Sequence, residues 1–285
     1  MEDQTINIFE RIHAAYYQLT ATERKVADYV LNQNSQIQFM SITQLAEECG
    51  AAEATISRFC KTLKLKGFNA FKIEIARHFA AIDATEPRPS RISTDTLEGR
   101  CHEAVLTSQE AIRQTLDLVR PDDIRRTVAL FENARHVICV GSGGSMLIAN
   151  ECAHLFSTVC DKFTAITDSH LQMSAVATMT PADVLVLFSY SGATRSGLEL
   201  LDLARTVGVP TVLITRFPKS PAASIADVVL RCGSNETPFQ FGSVPARVAQ
   251  LVLVDMLFQE FYLRNQAAAE ERLQKIAAAL SEKHI

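Results

Sequence analysis

Two loops in this chain combine hydroxyls and glycines in a way that suits an anion. One reads Ser189-Tyr190-Ser191-Gly192-Ala193-Thr194, the other Gly141-Ser142-Gly143-Gly144-Ser145. Glycine lets backbone N–H groups approach an anion closely, and Ser or Thr hydroxyls add neutral donors. Each loop follows an apolar run and precedes a helical pattern. A helix N-terminus, with free N–H groups and partial positive charge, is therefore expected beside each. The chemistry this suits is phosphate binding, with Gly143, Gly144, Ser145, Ser189, Ser191 and Thr194 as candidate contacts. Lys and Arg are nearly absent from both loops, Arg195 alone being close, which fits modest and reversible binding. Ser, Gly and Thr are also turn and capping residues, so either loop alone is equally a plain strand-to-helix turn.

Other chemistries find less support. A dinucleotide fingerprint needs a third glycine where Met146 stands, the Walker GK[ST] is missing, and there is no GxSxG elbow. Asp168, Ser169 and His170 follow a further apolar run and would face the same crevice. His170 is then either a ligand contact or a capping or surface histidine, and Glu236, after the last strand, is a similarly weak candidate. The seven cysteines form no CxxC pair and no histidine cluster, so no metal site and no cofactor are expected. Their apolar contexts suggest reduced core thiols in a cytoplasmic protein.

A second constellation lies upstream. From Ser41 to Gly50 a short helix ends in glycine, and Ala51 to Lys61 reads as a second helix with Ile56 and Phe59 inward. Ala46, Gly50 and Ile56 have the spacing of a helix-turn-helix: a small residue at the crossing, glycine in the turn, an aliphatic residue beneath. Thr55, Ser57, Arg58 and Lys61 would then face the major groove, with Lys64 and Lys66 on phosphates. Net charge is −4, yet Thr55 to His78 holds six basic residues against one acidic. That local excess fits operator DNA, although most charge runs are simply solvated helix faces.

The elements that must position these residues fall into two groups. Before the Pro-containing stretch Asp83 to Thr96 the apolar spacing is helical throughout: Ile6 to Leu19, Thr22 to Asn32 with Thr22 as cap, and the two helices above. After it, Leu97 to Arg120 reads as one helix with Val105, Ile112, Leu116 and Val119 on its apolar face, and Asp122 caps another. From His136 short apolar runs (137–140, 163–166, 184–188, 211–214 and 228–230) alternate with helical patterns, which implies a doubly wound parallel sheet. Ligands of such sheets lie beyond the carboxyl ends of the strands. The helices 244–265 and 267–283 close the chain. The fold class is thus an all-α helix-turn-helix domain (1–82), a linker (83–96) and an α/β domain (97–285). At 285 residues, 47% apolar and 21% charged, the chain fits two ordinary soluble domains. Its N-terminus lacks a signal-peptide pattern, and no run is long and apolar enough for a membrane span.

Several stretches, taken in order, resemble the RpiR family of bacterial transcription regulators. They are LTATERKVADYVL (19–31), SITQLAEECG (41–50) and ATISRFCKTLKLKGFNAFK (54–72), then VGSGGS (140–145), DSHLQ (168–172), SYSGAT (189–194) and SVPARVAQLVLVDMLF (243–258). The last four are similar to a sugar isomerase (SIS) domain. The resemblance implies phosphosugar contacts at Ser145, Ser189, Ser191 and Thr194, an operator affinity set by a sugar phosphate, and homodimers or homotetramers formed partly through the SIS domains. Ala51-Ala52 stands where such regulators often have Val-Ser, which removes a usual helix cap. Two rival readings remain: a sugar-phosphate isomerase or lyase with His170 or Glu236 as base, and an assembly module with an empty pocket.

Overall fold

The computed structural model describes residues 7–32, 34–83, 96–234 and 243–281. They divide into two compact units, the boundary falling between Glu103 and Ala104. Residues 84–95 of the expected linker lie outside the described residues.

The first unit is helical: α1 (Ile8–Ala15), α2 (Ala21–Asn32), α3 (Ile42–Glu48), α4 (Glu53–Thr62) and α5 (Phe68–Asp83). Local sequence explains the starts. Asn7 with Glu10 and Ser41 with Gln44 form reciprocal capping boxes. The expected cap at Thr22 is corrected to Thr20, because the Glu23 N–H donates to the Thr20 hydroxyl at 3.3 Å and the Thr20 N–H donates to the Glu23 carboxylate at 2.9 Å. Burial alone would raise the Glu23 pKa, but hydrogen bonds from Thr20 and Thr62 outweigh it and hold the carboxyl below its usual value. The core joins Ile12, Val26, Leu45, Ile56 and Phe59, with Phe59 edge-on to Phe71 at 5.7 Å.

α6 (Leu97–Leu118) crosses the boundary between the units as one helix. Of its expected apolar face Val119 packs against the core, and the rest is corrected. Val105, Ile112 and Leu116 are exposed, and the side turned inward carries Ala111 and Thr115 instead. Small residues are needed there because a Cβ on Gly233 would lie 2.3 Å from the Ala111 carbonyl oxygen.

α7 (Pro121–Asn133) then leads into the sheet. Asp122 does not cap it: Pro121 opens the helix, Arg120 stands at the N-cap, and Asp122 pairs with Arg125 inside the first turn. The strands are β1 (Val137–Gly141), β2 (Phe163–Ala165), β3 (Val184–Phe188), β4 (Thr211–Thr215) and β5 (Val228–Arg231), all parallel in the order β2-β1-β3-β4-β5. Alternation along each strand feeds two cores. Cys139, Val186, Phe188 and Ile214 pack on one face with residues of α8 (Gly144–Ser157) and α11 (Val244–Arg264). Val140, Leu185, Leu187 and Leu213 pack on the other with α9 (Ser169–Thr178) and α10 (Arg195–Val207). α12 (Gln266–Ser281) follows α11. Both faces being covered, the strands read as continuous apolar runs. Among the described residues no helix is long and apolar enough to cross a membrane. All seven thiols are free, but Cys101 is exposed and not in a core as expected.

At the amino-terminal edge of the sheet a buried carboxylate ties the chain together. Asp183 accepts from the Thr180 N–H and hydroxyl at 2.9 Å each, from the Arg135 guanidinium and from His136 Nδ1 at 3.1 Å.

Candidate ligand crevice and nucleic-acid interface

β1 and β3 pair directly, in register from Val137↔Val184 to Gly141↔Phe188. From β1 the chain turns one way to β2, and from β3 the other way to β4. The carboxyl ends of β1 and β3 are therefore the switch point of the sheet, where a crevice opens. The first hydroxyl loop meets the start of α10, which follows the second loop: Ser142 Oγ and Ser196 Oγ stand 3.4 Å apart.

α8 begins at Gly144 after Gly143, which holds φ 54°, ψ −127°, a conformation open to glycine alone; no atom would meet a Cβ there. α10 begins at Arg195 after Thr194. No side chain among the described residues caps either helix, so their first N–H groups have no side-chain acceptor there. By contrast, Asp168 caps α9, accepting from the N–H of His170 and Leu171 at 3.0 and 2.9 Å. Gly192 is doubly constrained: φ is +59°, and a Cβ would lie 2.0 Å from Ser220 Oγ.

Of the expected contacts, Ser189 is buried, Gly144 and Ser145 are half-buried, and Gly143, Ser191 and Thr194 are exposed at the loop tips. His170 is exposed, and no described residue orients its ring. Arg195 is engaged with Glu199 at 2.9 Å. Glu236 lies outside the described residues. Sequence reasoning passed over Gln172, which is buried on α9 and donates to the Gly141 carbonyl at 3.2 Å and the Ile166 carbonyl at 2.7 Å, stitching the ends of β1 and β2 together. It also passed over two donors on α11. The end of α11 meets Glu132, near the end of α7, through Arg264 and Asn265, so its start lies towards the carboxyl edge of the strands. On those first turns Arg247 Nε and Gln250 Nε2 are buried with no hydrogen-bond partner among the described residues. Such orphaned donors want an acceptor, and nothing in their sequence context signals it. A separate surface cleft of about 390 Å³, lined by Arg126, Arg205, Thr211 and Asp227 among others, opens at the opposite edge and holds none of these hydroxyls.

In the first unit, α3 and α4 are joined by a tight turn. Gly50 has φ 58°, and the N–H groups of Gly50 and Ala51 return to the Glu47 and Ala46 carbonyls. Ile56, Phe59 and Cys60 turn inward. Thr55 is a correction: at 4% exposure it faces the core and its hydroxyl accepts from Arg58 at 3.3 Å. A helix advances about 100° per residue, so Thr55 lies on the Phe59 side of Arg58 while Ala54 lies on the outer side. The outer face is Ala54, Ser57, Arg58 and Lys61, with Ser57 half-buried. α4 ends with Lys64 at φ 58°, an uncommon left-handed position for a non-glycine, its N–H bound to the Lys61 carbonyl and that of Leu65 to the Cys60 carbonyl. Lys61, Lys64 and Lys66 are exposed. Glu53 on α4 accepts from the Thr43 hydroxyl, but Ala52 supplies no side-chain cap. Ala52 has the extended backbone a cap requires, so Ala52→Ser should stabilise the helical unit by about 1 kcal/mol. Urea unfolding of the full chain followed by helical circular dichroism checks this, and an unchanged midpoint refutes it.

A helix-turn-helix with a basic outer face, joined in one chain to an α/β domain with a ligand crevice, defines a class: a DNA-binding transcriptional regulator with an effector domain. Residues 6–82 match the helix-turn-helix domain of the rpiR family and residues 130–259 match the SIS domain. An uncharacterized HTH-type transcriptional regulator of Thermotoga maritima is 31% identical over 97% of this chain and 99% of its own length. The chain belongs to the RpiR family of transcriptional regulators. Its fold is shared by the NanR protein of Vibrio vulnificus, solved with ManNAc-6P, at a TM-score of 0.87, 23% identity, 98% of this chain and 99% of that one. A proposed sugar-phosphate isomerase of Listeria monocytogenes shares the fold at a TM-score of 0.58 and 19% identity, over 65% of this chain and 97% of that one.

Proposed function

We propose that this regulator grips operator DNA through Ser57, Arg58 and Lys61 on α4, with Lys64 and Lys66 on phosphates, and that a sugar phosphate bound in the crevice sets its operator affinity. The DNA-binding domain is 1–82, the linker 83–96, and the effector and assembly domain 97–285. The single observation that carries the ligand reading is the meeting of two uncapped helix starts and two hydroxyl loops at the switch point of a parallel sheet. Gly143, Gly144 and the α10 start offer N–H groups, Ser145, Ser189, Ser191 and Thr194 offer hydroxyls, and Arg247 and Gln250 offer further donors. A ligand of this kind is supported by the ManNAc-6P of NanR. His170, exposed at the start of α9, sits near the crevice as a contact for sugar hydroxyls. We assign no turnover to the protein and place it in the cytoplasm. The exposed row Val105, Ile112 and Leu116 on α6 supports assembly into homodimers or homotetramers, and a two-fold dimer suits a palindromic operator.

Thermal unfolding against a panel of sugar 6-phosphates, ManNAc-6P included, tests the ligand. One of them at a hundred times its Kd should stabilise the effector domain by about 2.7 kcal/mol. Ser191→Ala should remove most of that shift, and if no sugar phosphate moves the melting curve the effector reading fails. Arg58→Ala should cost about 1–3 kcal/mol of operator binding and relax sequence preference, while Lys64→Ala should weaken all DNA binding and lower the salt slope by about one. Fluorescence anisotropy with operator and random duplexes separates the two. Wild-type binding in both variants would discard α4 as the reading helix.

A further inference from the structure

The hydroxyl loop is wired to α6 through one side chain. Tyr190 stands between Ser189 and Ser191, and its own backbone is held fast: its carbonyl accepts from the Thr215 hydroxyl and the Arg216 N–H at 3.0 Å each. Its hydroxyl reaches out of the loop to donate to the Ser234 carbonyl at 2.9 Å. Arg216 Nε donates to that same carbonyl at 2.8 Å. Ser234 follows β5 and holds φ 77°, a left-handed conformation that a serine adopts at a cost. Its N–H donates to Gln114 Oε1 on α6 at 3.2 Å, and the preceding N–H, of Gly233, donates to Thr115 Oγ1 at 2.9 Å. Thr115 is fully buried and hands its own proton to the Ala111 carbonyl one turn back. Gly233 lies so close to α6 that no side chain fits between them, and Arg231 adds a bond to the Leu118 carbonyl at 3.0 Å. β5 and the strained residue after it are therefore clamped on α6 at one end and held by Tyr190 at the other.

We propose that Tyr190 is the positioning residue through which occupancy of the hydroxyl loop is passed to α6. This rests on the crevice being the effector site. A ligand that draws on Ser189, Ser191 and Thr194 shifts the residue bonded between them, and a left-handed Ser234, held through its N–H and carbonyl by Gln114, Tyr190 and Arg216, has an ordinary conformation to relax into. The arrangement can therefore exist in two states that both ends bias, which is what coupling between sites requires.

Reciprocity supplies a test that needs no ligand. Amide hydrogen exchange of the full chain is compared in wild type, Tyr190→Phe and Thr115→Val. Tyr190→Phe keeps the ring and removes one hydroxyl, so folding is preserved. It should speed exchange in α6 between Gln114 and Leu118 about fivefold, the scale of one lost hydrogen bond. Thr115→Val, on α6 itself, should speed exchange in the 189–194 loop by a similar factor. Perturbations confined to the mutated element in both variants overturn the coupling. A second arm adds inorganic phosphate and, separately, ManNAc-6P. In wild type the loop and α6 should gain protection together, and in Tyr190→Phe the loop alone. Protection of α6 persisting in Tyr190→Phe also overturns the coupling. If neither probe protects the wild-type loop, the crevice is not a site for free phosphate or ManNAc-6P, while the reciprocity arm still decides whether Tyr190 joins loop and helix.

Discussion

Gly192→Ala should destabilise the α/β unit by about 2–5 kcal/mol and abolish ligand binding in the crevice. Two separate costs add. A left-handed φ of +59° costs an alanine about 1–2 kcal/mol. The new methyl would also stand 2.0 Å from Ser220 Oγ, 2.6 Å from Ser220 Cβ and 3.1 Å from Thr215 Oγ1, an overpacking worth about 1–3 kcal/mol. Relief of that clash would move the turn that Gly192 shares with Ala222, whose N–H it accepts at 2.9 Å, and with it Ser191 and Thr194. The double variant Gly192→Ala/Ser220→Gly separates the terms, because it removes both Ser220 contacts and leaves the strained backbone and the looser approach to Thr215. It should regain about half of the loss in a urea titration followed by tyrosine fluorescence. Equal stability of the two variants would mean that the contact with Ser220 is not what excludes a side chain. Gly143→Ala makes the comparison sharper: its φ is also positive but nothing lies within reach of a Cβ, so only the backbone term applies.

Asp183→Asn should cost about 2–4 kcal/mol at pH 7, and that difference should shrink as the pH falls. Burial by itself would raise the Asp183 pKa, but the Arg135 guanidinium, the Thr180 N–H and hydroxyl, and His136 together hold the carboxyl well below the usual carboxylate range. A carboxyl depressed in the folded state stabilises it fully above its unfolded pKa of about 3.9, and that contribution drains away below it as the folded carboxyl also takes up its proton. Wild type should therefore lose stability from about pH 5 downwards with a steeper slope than Asp183→Asn, and the two curves should converge in strong acid. The asparagine keeps one acceptor but gains donors facing Arg135 and the Thr180 N–H, which is why its cost at neutral pH is large for an isosteric change. Parallel curves from pH 7 to pH 3 would show that the carboxylate charge is not what matters. The site is at the amino edge of the sheet, so ligand binding at the opposite edge should survive in the folded variant.

The helices and strands were legible because each pattern follows from local chemistry. Five apolar runs flanked by turn residues became five parallel strands, since strands covered on both faces need no polar alternation. Glycine at position 50 marked the turn between α3 and α4 because a left-handed residue is needed there. Where reading failed, the competing effect was tertiary. The apolar residues of α6 were assigned to its buried side, yet Val105, Ile112 and Leu116 are exposed; the inner side had to be small because Gly233 passes against it. Thr55 groups with Ser57, Arg58 and Lys61 on the outward side by residue type, but helical rotation turns it towards Phe59 and the core. Lys64 carries no local mark of its left-handed conformation, which the closing bonds of α4 impose.

Sequence by itself determined the parts of this regulator: a basic helix after a glycine turn, and two hydroxyl-and-glycine loops, each between a strand and a helix. These depend on residue type and on neighbours within a few positions, so they survive without knowledge of the fold. Tertiary structure alone decided that the loops Gly141 to Ser145 and Ser189 to Thr194, which follow β1 and β3, share one crevice. It alone decided that Gln172 ties the ends of β1 and β2 together and that Tyr190 reaches α6 through Ser234. The physical reason is that strand order and contacts between distant segments are set by the packing of both sheet faces together, which no local pattern encodes.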